Sequence, residues 1–169
     1  SRHREDEDKK TVAQIVEEYH KWDAQNPNTI VGAEVEFDIK IGSYVLDGKI
    51  DRVEQTPDGD YVIIDYKTGG KNKEIKNLNE SLQLNIYAMG LEVKEKFGKL
   101  PKLVSYFYPE KEGQKIFSYE VNQTDIDNTK QKLEKYLDLI DKGEFGADPD
   151  MIKCGWCDYK DLCDESQAK

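Results

Sequence analysis

The chain has 169 residues, of which 37% are apolar and 36% are charged, and it carries a net charge of −10. This length is sufficient for one domain with a buried core, and its apolar runs are too short to span a membrane. The strong negative charge argues against a general attraction to nucleic acid or to anionic lipid. Any contact with phosphate must therefore be local or carried by a metal ion.

The predicted elements alternate between helices and strands along the chain. A charged tail at residues 1–10 precedes a helix whose apolar residues recur at helical spacing. The next segment alternates strictly between apolar and charged residues, which is typical of a half-buried strand. This order predicts a mixed central sheet flanked by helices, in the α/β or α+β class. The predicted helices cover residues 11–22, 80–97 and 125–142, and the predicted strands cover residues 33–42, 44–54, 61–67, 103–108 and 115–121.

Two of these elements have a buried side that the pattern predicts. In the first strand the apolar residues from Val35 to Ile41 face one way, and the charged residues between them, including Glu36, face the other. The second helix is expected to pack through apolar residues at helical spacing. These residues are Leu82, Ile86, Met89 and Val93.

The turn between the second and third strands predicts how those strands pair. The sequence Thr56-Pro57-Asp58-Gly59-Asp60 suits a type I turn followed by glycine in the left-handed region. Such a turn pairs Thr56 with Asp60, so that the numbers of paired residues add to about 116 along the ladder. Asp51 is then expected to lie directly opposite Asp65.

This register predicts a cluster of charges at the end of a buried strand. Opposed residues of an antiparallel pair share a face of the sheet, and Lys67, two residues beyond Asp65, shares it too. Glu36 comes from the polar side of the neighbouring strand. Two opposed carboxylates destabilise a sheet unless a cation lies between them. Oxygen ligands without histidine suit a hard ion such as Mg²⁺ or Mn²⁺.

A divalent ion at these carboxylates suits phosphodiester hydrolysis. The ion would polarise a phosphoryl oxygen and lower the pKa of a bound water. Lys67 would orient that water or stabilise negative charge on the phosphorus centre. The alternative is a solvated Asp–Lys pair at a strand end, and Asp51 in register, together with the buried approach through Val62–Ile64, favours the metal site.

Three motifs in order resemble the nuclease module of RecB-type proteins in the PD-(D/E)xK superfamily. They are G-x-x-D-R at 48–52, D-Y-K-T-G at 65–69 and Q-x-x-x-Y at 83–87. The resemblance implies a restriction-endonuclease-like core that acts on DNA in the cytoplasm, beside a helicase domain in the same or a partner chain. It implies that Asp51, Asp65 and the Tyr66 carbonyl hold the metal and that Lys67 is catalytic. Gln83 and Tyr87, one helical turn apart, would shape the active-site surface.

The tail at 151–169, which follows the predicted core at 11–150, carries all three cysteines. Cys154, Cys157 and Cys163 form the pattern C-x2-C-x5-C. The crowding of an odd number of cysteines favours metal binding in a reducing compartment over a disulfide scaffold. The pattern is similar to the C-terminal half of the iron–sulfur motif in AddB-like and CRISPR-associated RecB-like nucleases. A [4Fe–4S] cluster commonly takes four cysteines, so zinc or free thiols remain alternatives.

Two features of the family have no clear counterpart in this sequence. The fourth cysteine and a metal-binding histidine lie upstream in the relatives, whereas the histidines here are His3, in the charged tail, and His20, which reads as a helix surface residue. The expectation is that the chain is the C-terminal part of a longer protein.

A basic segment follows the proposed active-site strand. Lys71, Lys73 and Lys76 lie directly after Lys67 with one acidic residue among them. By composition alone the segment reads as a solvated loop, but its position predicts contact with the DNA backbone.

Two other functions fit the same sequence. The first is a non-catalytic module that binds DNA or a protein partner and is stapled by a metal, which the acidic charge and the missing histidine favour. The second is a zinc-binding structural domain in which the Asp–Lys site is incidental.

Overall fold

The computed structural model describes residues 2–67, 76–111 and 113–168, with side chains from Val12 onward. The elements follow the predicted order, with one further short helix near the C-terminus. They are α1 (Arg2–Gln25), β1 (Thr29–Ile41), β2 (Tyr44–Gln55), β3 (Tyr61–Tyr66), α2 (Leu82–Val93), β4 (Leu103–Phe107), β5 (Ile116–Glu120), α3 (Gln123–Asp141) and α4 (Met151–Trp156).

The chain divides into two compact units, and the boundary falls within α3. Residues 1–131 form the first unit, which contains the whole described sheet, and residues 132–169 form the second. The second unit holds the remainder of α3, the helix α4 and the three cysteines. No helix among the described residues is long and apolar enough to cross a membrane.

The five described strands form one mixed sheet in the order β1-β2-β3-β4-β5. The strands β3 and β4 are parallel, and every other neighbouring pair is antiparallel. A parallel pair requires a crossover, which here contains α2. The prediction of a mixed sheet with flanking helices is confirmed.

The turn between β2 and β3 has the geometry that its sequence predicts. The Thr56 carbonyl accepts from Gly59 N–H at 2.9 Å, and Thr56 N–H donates to the Asp60 carbonyl at 2.8 Å. Gly59 has a φ of 86°, in the left-handed region that glycine occupies without strain. The ladder then pairs Arg52 with Ile64 and Gln55 with Tyr61, which is the predicted register.

The helices α1 and α2 pack on opposite faces of the sheet. On the α1 face, Val62, Ile64 and Phe107 are buried against Tyr19 and Trp22. The residues between them in the strands point to the α2 face because side chains alternate. On that face Ile63 and Val104 are fully buried, as are Leu84, Ala88 and Leu91 of α2.

The glycine of G-x-x-D-R makes room for an aromatic ring. A Cβ on Gly48 would lie 2.4 Å from Cζ of Phe37, and a Cβ on Gly90 of α2 would lie 2.5 Å from Cγ of the same ring. Phe37 is 1% exposed, and its ring also meets that of Tyr87 edge-on. Phe37 therefore locks α2 onto the β1–β2 hairpin, which sets the position of the residues that α2 carries.

Several expectations about the elements were wrong. Helix α1 begins at Arg2, so the segment expected to be a charged tail is helical. Helix α2 buries Leu84, Ala88 and Leu91 rather than the expected set, of which Met89 is buried and Val93 is 51% exposed. The expected set fitted one helical stripe, but α2 has apolar residues on several sides, so the spacing alone does not identify the buried side.

Candidate active site

Asp51 and Asp65 meet on the α2 face at the end of the β2–β3 ladder. The β2–β3 ladder ends at the pair Arg52–Ile64, and Asp51 and Asp65 are the next residues beyond that pair on the two strands. Asp51 is half-buried, and one of its carboxylate oxygens, Oδ2, accepts a hydrogen bond from Tyr66 N–H at 2.9 Å. Asp65 is only 3% exposed. The two acids are therefore neighbours at the end of the ladder, where the Asp51 carboxylate acts on the pKa of Asp65.

Burial raises the pKa of Asp65. The nearby Asp51 carboxylate raises it further, while the Lys67 ammonium and a hydrogen bond from Tyr87 oppose the rise. Asp65 Oδ2 lies 2.7 Å from Lys67 Nζ, but the geometry of this contact is not that of a hydrogen bond. The buried oxygen has no other hydrogen-bond partner. Asp65 therefore keeps acceptor capacity for a cation.

Lys67 is held as an ammonium group among three neighbours. Its Nζ lies 2.7 Å from Asp65 Oδ2, donates to Gln83 Oε1 at 2.6 Å, and lies 5.0 Å from the ring centroid of Tyr106. Burial lowers the pKa of Lys67, but the adjacent Asp65 carboxylate outweighs it and the net pKa is raised. A lysine that stays charged is suited to stabilising negative charge rather than to removing a proton.

Gln83 and Tyr87 join the site from one side of α2. Gln83 Nε2 donates to the Tyr87 hydroxyl at 3.0 Å, and that hydroxyl acts on the Asp65 carboxylate by opposing the rise in its pKa. Burial raises the pKa of Tyr87, so it remains a neutral phenol that can donate. These two residues link the helix to both Lys67 and Asp65.

The residues present fit a hard divalent cation. The site offers two carboxylates, and one buried oxygen of Asp65 is unsatisfied. Such oxygen donors suit Mg²⁺ or Mn²⁺, and water commonly completes the coordination of these ions. Within the described part of the chain, no group of three or more His, Cys, Asp or Glu side chains is arranged to hold a metal. The two aspartates would be supplemented by the Tyr66 carbonyl.

Glu36 is not brought to this site, contrary to the expectation. The register of β1 with β2 pairs Glu36 with Lys49, whose Nζ lies 3.8 Å from Glu36 Oε1. The Glu36 side chain is 80% exposed. Glu34 lies opposite Asp51 instead, between the pairs that flank it, but it too reaches toward Lys49 at 3.4 Å.

The other expected residues lie away from the candidate site or outside the described residues. Lys71 and Lys73 are outside them, and Lys76 is exposed. His20 is exposed on α1, where its ring meets that of Tyr19 edge-on, and the side chain of His3 is not among those described.

The cysteines lie in the second unit, around α4. Cys154 is buried within this helix, Cys157 follows its last residue and is exposed, and Cys163 is half-buried. All three are free thiols. Asp150 is the N-cap of α4, and its Oδ1 accepts from the N–H groups of Ile152 and Lys153 at 2.8 Å. This cap was not expected from the sequence, although an aspartate before Met151 is a recognisable helix start.

A network on the opposite face braces the same two strands, and the sequence analysis missed it. Arg52, beside Asp51, contacts Asp23 at 2.6 Å and Glu54 at 2.5 Å, and it donates to the hydroxyls of Tyr19 at 2.7 Å and Tyr66 at 3.3 Å. Arg52 and Glu54 are almost fully buried. The alternation of residues along β2 and β3 could have placed Arg52 and Tyr66 together behind the acids.

A cleft of about 490 Å³ also opens on the α1 face. Its lining includes Trp22 and Asn28 with Glu54, Ile64 and Leu103. None of the candidate catalytic residues lines it. The buried carboxylate of Glu54 is satisfied there by the side-chain amides of Asn26 at 2.7 Å and Asn28 at 2.9 Å.

Comparison with known proteins agrees with the geometry of the site. Residues 2–164 match the PD-(D/E)XK nuclease superfamily. The chain belongs to this superfamily. No curated protein matches the sequence. Nucleases of the superfamily typically use divalent metals such as Mg²⁺.

Two solved structures resemble this chain at low sequence identity, and the first of them shares its fold. A protein from Eubacterium rectale named "Putative exonuclease" is 15% identical, has a TM-score of 0.52, and is aligned over 90% of this chain and 59% of its own. The crystal structure of SSO0001 is 19% identical, has a TM-score of 0.48, and is aligned over 81% of this chain and 61% of its own. This chain therefore spans about three fifths of the length of either protein.

Proposed function

We propose that this chain is a metal-dependent nuclease domain that hydrolyses phosphodiester bonds in DNA. The observation that carries the proposal is the meeting of Asp51, Asp65 and Lys67 on one face of the sheet, with Lys67 Nζ 2.7 Å from Asp65 Oδ2. Membership of the PD-(D/E)XK nuclease superfamily supports the same chemistry. Mg²⁺ or Mn²⁺ is the proposed cofactor.

The chain's own residues divide the work between metal binding and charge stabilisation. Asp51 and Asp65, with the Tyr66 carbonyl, would hold the ion, which when bound polarises a phosphoryl oxygen and acidifies a water. Lys67, an ammonium group whose pKa is raised, would stabilise the negative charge that builds up on the phosphoryl group. Gln83 and Tyr87 would hold Lys67 and Asp65 in place through the contacts described above.

Contact with DNA is proposed to be local to this site. The net charge of −10 opposes general attraction to DNA. A lysine segment that contains Lys71, Lys73 and Lys76 follows Lys67 in the chain, and we propose that it meets the phosphate backbone. A helicase domain, in the same or another chain, is the proposed partner because the motifs resemble RecB-type modules.

The cysteines are proposed to hold a metal centre that is separate from the catalytic ion. Three thiolates suit an iron–sulfur cluster or zinc, with a fourth ligand from elsewhere. Anaerobic reconstitution with iron and sulfide should produce visible absorption that Cys154→Ser removes. A colourless wild-type product with no bound zinc would contradict this part of the proposal.

One observation favours a second candidate, a non-catalytic module that binds DNA. Among the described residues the acidic cluster has two carboxylates and no third acidic or histidine ligand. A site with few ligands from the protein binds its metal ion weakly. Because the ion supplies the chemistry of cleavage, a module without a bound ion would bind DNA without cleaving it.

Cleavage assays with Mg²⁺ or Mn²⁺ separate the two candidates. The nuclease proposal predicts that labelled DNA is cut by the wild type, and that both Asp65→Asn and Lys67→Ala lower the rate at least about a hundredfold. The control is Lys102→Ala, which breaks a surface pair with Asp60 at 3.2 Å. Equal background cleavage by wild type and Lys67→Ala, with DNA binding retained, would favour the binding module.

A further inference from the structure

We propose that Tyr106 is a positioning residue that holds Lys67 and Gln83 in the arrangement needed for catalysis. This inference rests on the proposed nuclease function and adds a residue that none of the three motifs contains. Tyr106 acts through two other residues. Its ring contacts Lys67, and its hydroxyl contacts Gln83.

The sheet topology brings Tyr106 to the site. The strand β4 runs parallel to β3 and pairs Tyr106 with Asp65. Laterally paired residues of neighbouring strands project to the same side of a sheet, so Tyr106 shares the α2 face with the candidate catalytic residues. The same pairing continues past β3, where Lys67 N–H donates to the Phe107 carbonyl at 2.9 Å. The backbone of Lys67 is therefore tied to β4 beside Tyr106.

The ring of Tyr106 forms one wall of the space around the Lys67 ammonium. Lys67 Nζ lies 5.0 Å from the ring centroid, within the range in which a cation is attracted to an aromatic face. Asp65 Oδ2 and Gln83 Oε1 hold the same group from other directions at 2.7 and 2.6 Å. The Lys67 side chain is 30% exposed, so without the ring the long side chain has room to turn toward solvent.

The hydroxyl of Tyr106 fixes which way the Gln83 amide points. It donates to Gln83 Oε1 at 3.4 Å, so Oε1 receives both this bond and the one from Lys67. The amide nitrogen is then free to donate to Tyr87 at 3.0 Å. A flipped amide would direct its N–H groups at the Lys67 ammonium, which cannot accept.

Ser81 completes the chain of hydrogen bonds. Its hydroxyl lies 2.7 Å from that of Tyr106, and its oxygen accepts from Leu84 N–H at 3.3 Å at the start of α2. Either hydroxyl can donate in this contact, and the arrangement in which Ser81 donates leaves the Tyr106 proton for Gln83. In that arrangement the hydrogen bonds run from Ser81 through Tyr106 to Gln83. The cap of α2 thereby orients the glutamine that holds Lys67.

Two substitutions separate the ring from the hydroxyl. Tyr106→Phe keeps the ring and should lower kcat about threefold, whereas Tyr106→Leu removes both and should lower it about tenfold or more. The KM for DNA and the Mg²⁺ concentration for half-maximal rate should stay unchanged in both. The matched control is Tyr61→Leu, which removes a ring with Lys99 Nζ at the same 5.0 Å distance and should leave kcat unchanged.

A second measurement reports the position of Lys67 without activity. In the wild type, the NMR signals of the Lys67 methylene next to Nζ should be shifted upfield by the Tyr106 ring. This shift should persist in Tyr106→Phe and disappear in Tyr106→Leu, with the remaining spectrum unchanged. An unshifted methylene in the wild type, or a shift that survives in Tyr106→Leu, would overturn the proposal.

The outcomes distinguish this inference from the nuclease proposal. If Lys67→Ala cuts DNA as fast as the wild type, the nuclease proposal fails first. If Lys67→Ala is inactive but Tyr106→Leu has the kcat of the wild type, the role of Tyr106 alone is wrong. A Tyr106→Leu variant that raises KM with kcat unchanged would likewise assign Tyr106 to DNA binding and overturn its positioning role.

Discussion

The carboxylate of Asp51 accepts a hydrogen bond from the backbone N–H of Tyr66 at 2.9 Å, and this bond ties one candidate metal ligand to the residue that offers another. Tyr66 in turn is fixed from behind, because its hydroxyl lies 2.9 Å from the hydroxyl of Tyr19 and accepts from Nη1 of Arg52 at 3.3 Å. The acids on one face of the sheet are therefore positioned by a network on the other.

Binding of a divalent ion at Asp51 and Asp65 should stabilise the folded protein. At an ion concentration of about 100 times Kd, the free energy of unfolding should rise by about 2.7 kcal/mol. Thermal unfolding with and without Mn²⁺ measures this effect, and Asp51→Asn should abolish it. The control variant Asp60→Asn, at an acid in the β2–β3 turn, should keep it. An equal gain in all three proteins would place the ion elsewhere.

The pH dependence of stability should report the buried Asp65. Its pKa is raised by burial. An acid with a raised pKa in the folded state stabilises the fold fully at pH values below its unfolded pKa of about 3.9, and this contribution is lost as the pH rises through the folded pKa. Without metal, the wild type should therefore lose stability relative to Asp65→Asn as the pH rises above about 4.

Urea unfolding of both proteins across this pH range measures the difference. Mg²⁺ at neutral pH should reverse this loss of stability, because it should stabilise the wild type and not Asp65→Asn. A constant difference between the two proteins at every pH would show that the pKa of Asp65 is not raised by folding.

Gly48 should not tolerate a side chain. A Cβ there would lie 2.4 Å from Cζ of Phe37, so Gly48→Ala must displace a buried ring. Overpacking of this kind costs about 1–3 kcal/mol of unfolding free energy. Gly146→Ala serves as the control because nothing lies within 4 Å of its Cβ, and urea unfolding compares the two. A Gly48→Ala protein as stable as the wild type would show that the ring moves freely.

Arg52 should contribute to stability from the face opposite the site. Arg52→Met leaves the buried carboxylate of Glu54 without its guanidinium, and removing one partner of a buried ion pair costs about 3–5 kcal/mol. Lys49→Met, which breaks an exposed pair with Glu34 at 3.4 Å, should cost less than about 1 kcal/mol. Urea unfolding compares the variants, and a similar small loss in both would mean that the Arg52 network does not brace the strands.

Local turn chemistry explains why the centre of the site could be predicted from the sequence. The Pro57-Asp58-Gly59 turn fixes the register of β2 with β3, and the register alone brings Asp51 to Asp65. The two-residue turn between β1 and β2 fixes the register of those strands in the same way. Gly42 has a φ of 59° in the two-residue turn between Ile41 and Tyr44, and that pairing sets Glu36 against Lys49.

The place of Tyr106 could not be predicted in this way. A parallel pair such as β3 and β4 has no turn whose sequence fixes the register, since the connection crosses over through α2. The contact of Tyr106 with Lys67 depends on the packing of the whole crossover. The buried side of α2 was misjudged because its apolar residues lie on several sides of the helix, so their spacing alone does not identify the side that packs on the sheet.

The most direct test of the central claim is the position of a bound ion. Crystals of the protein soaked in Mn²⁺ should show an anomalous difference peak about 2.0–2.2 Å from carboxylate oxygens of both Asp51 and Asp65. The account predicts that one ion contacts both residues, with Lys67 Nζ beside Asp65. An ion bound to one aspartate alone, or side chains directed to opposite sides of the sheet, would contradict it.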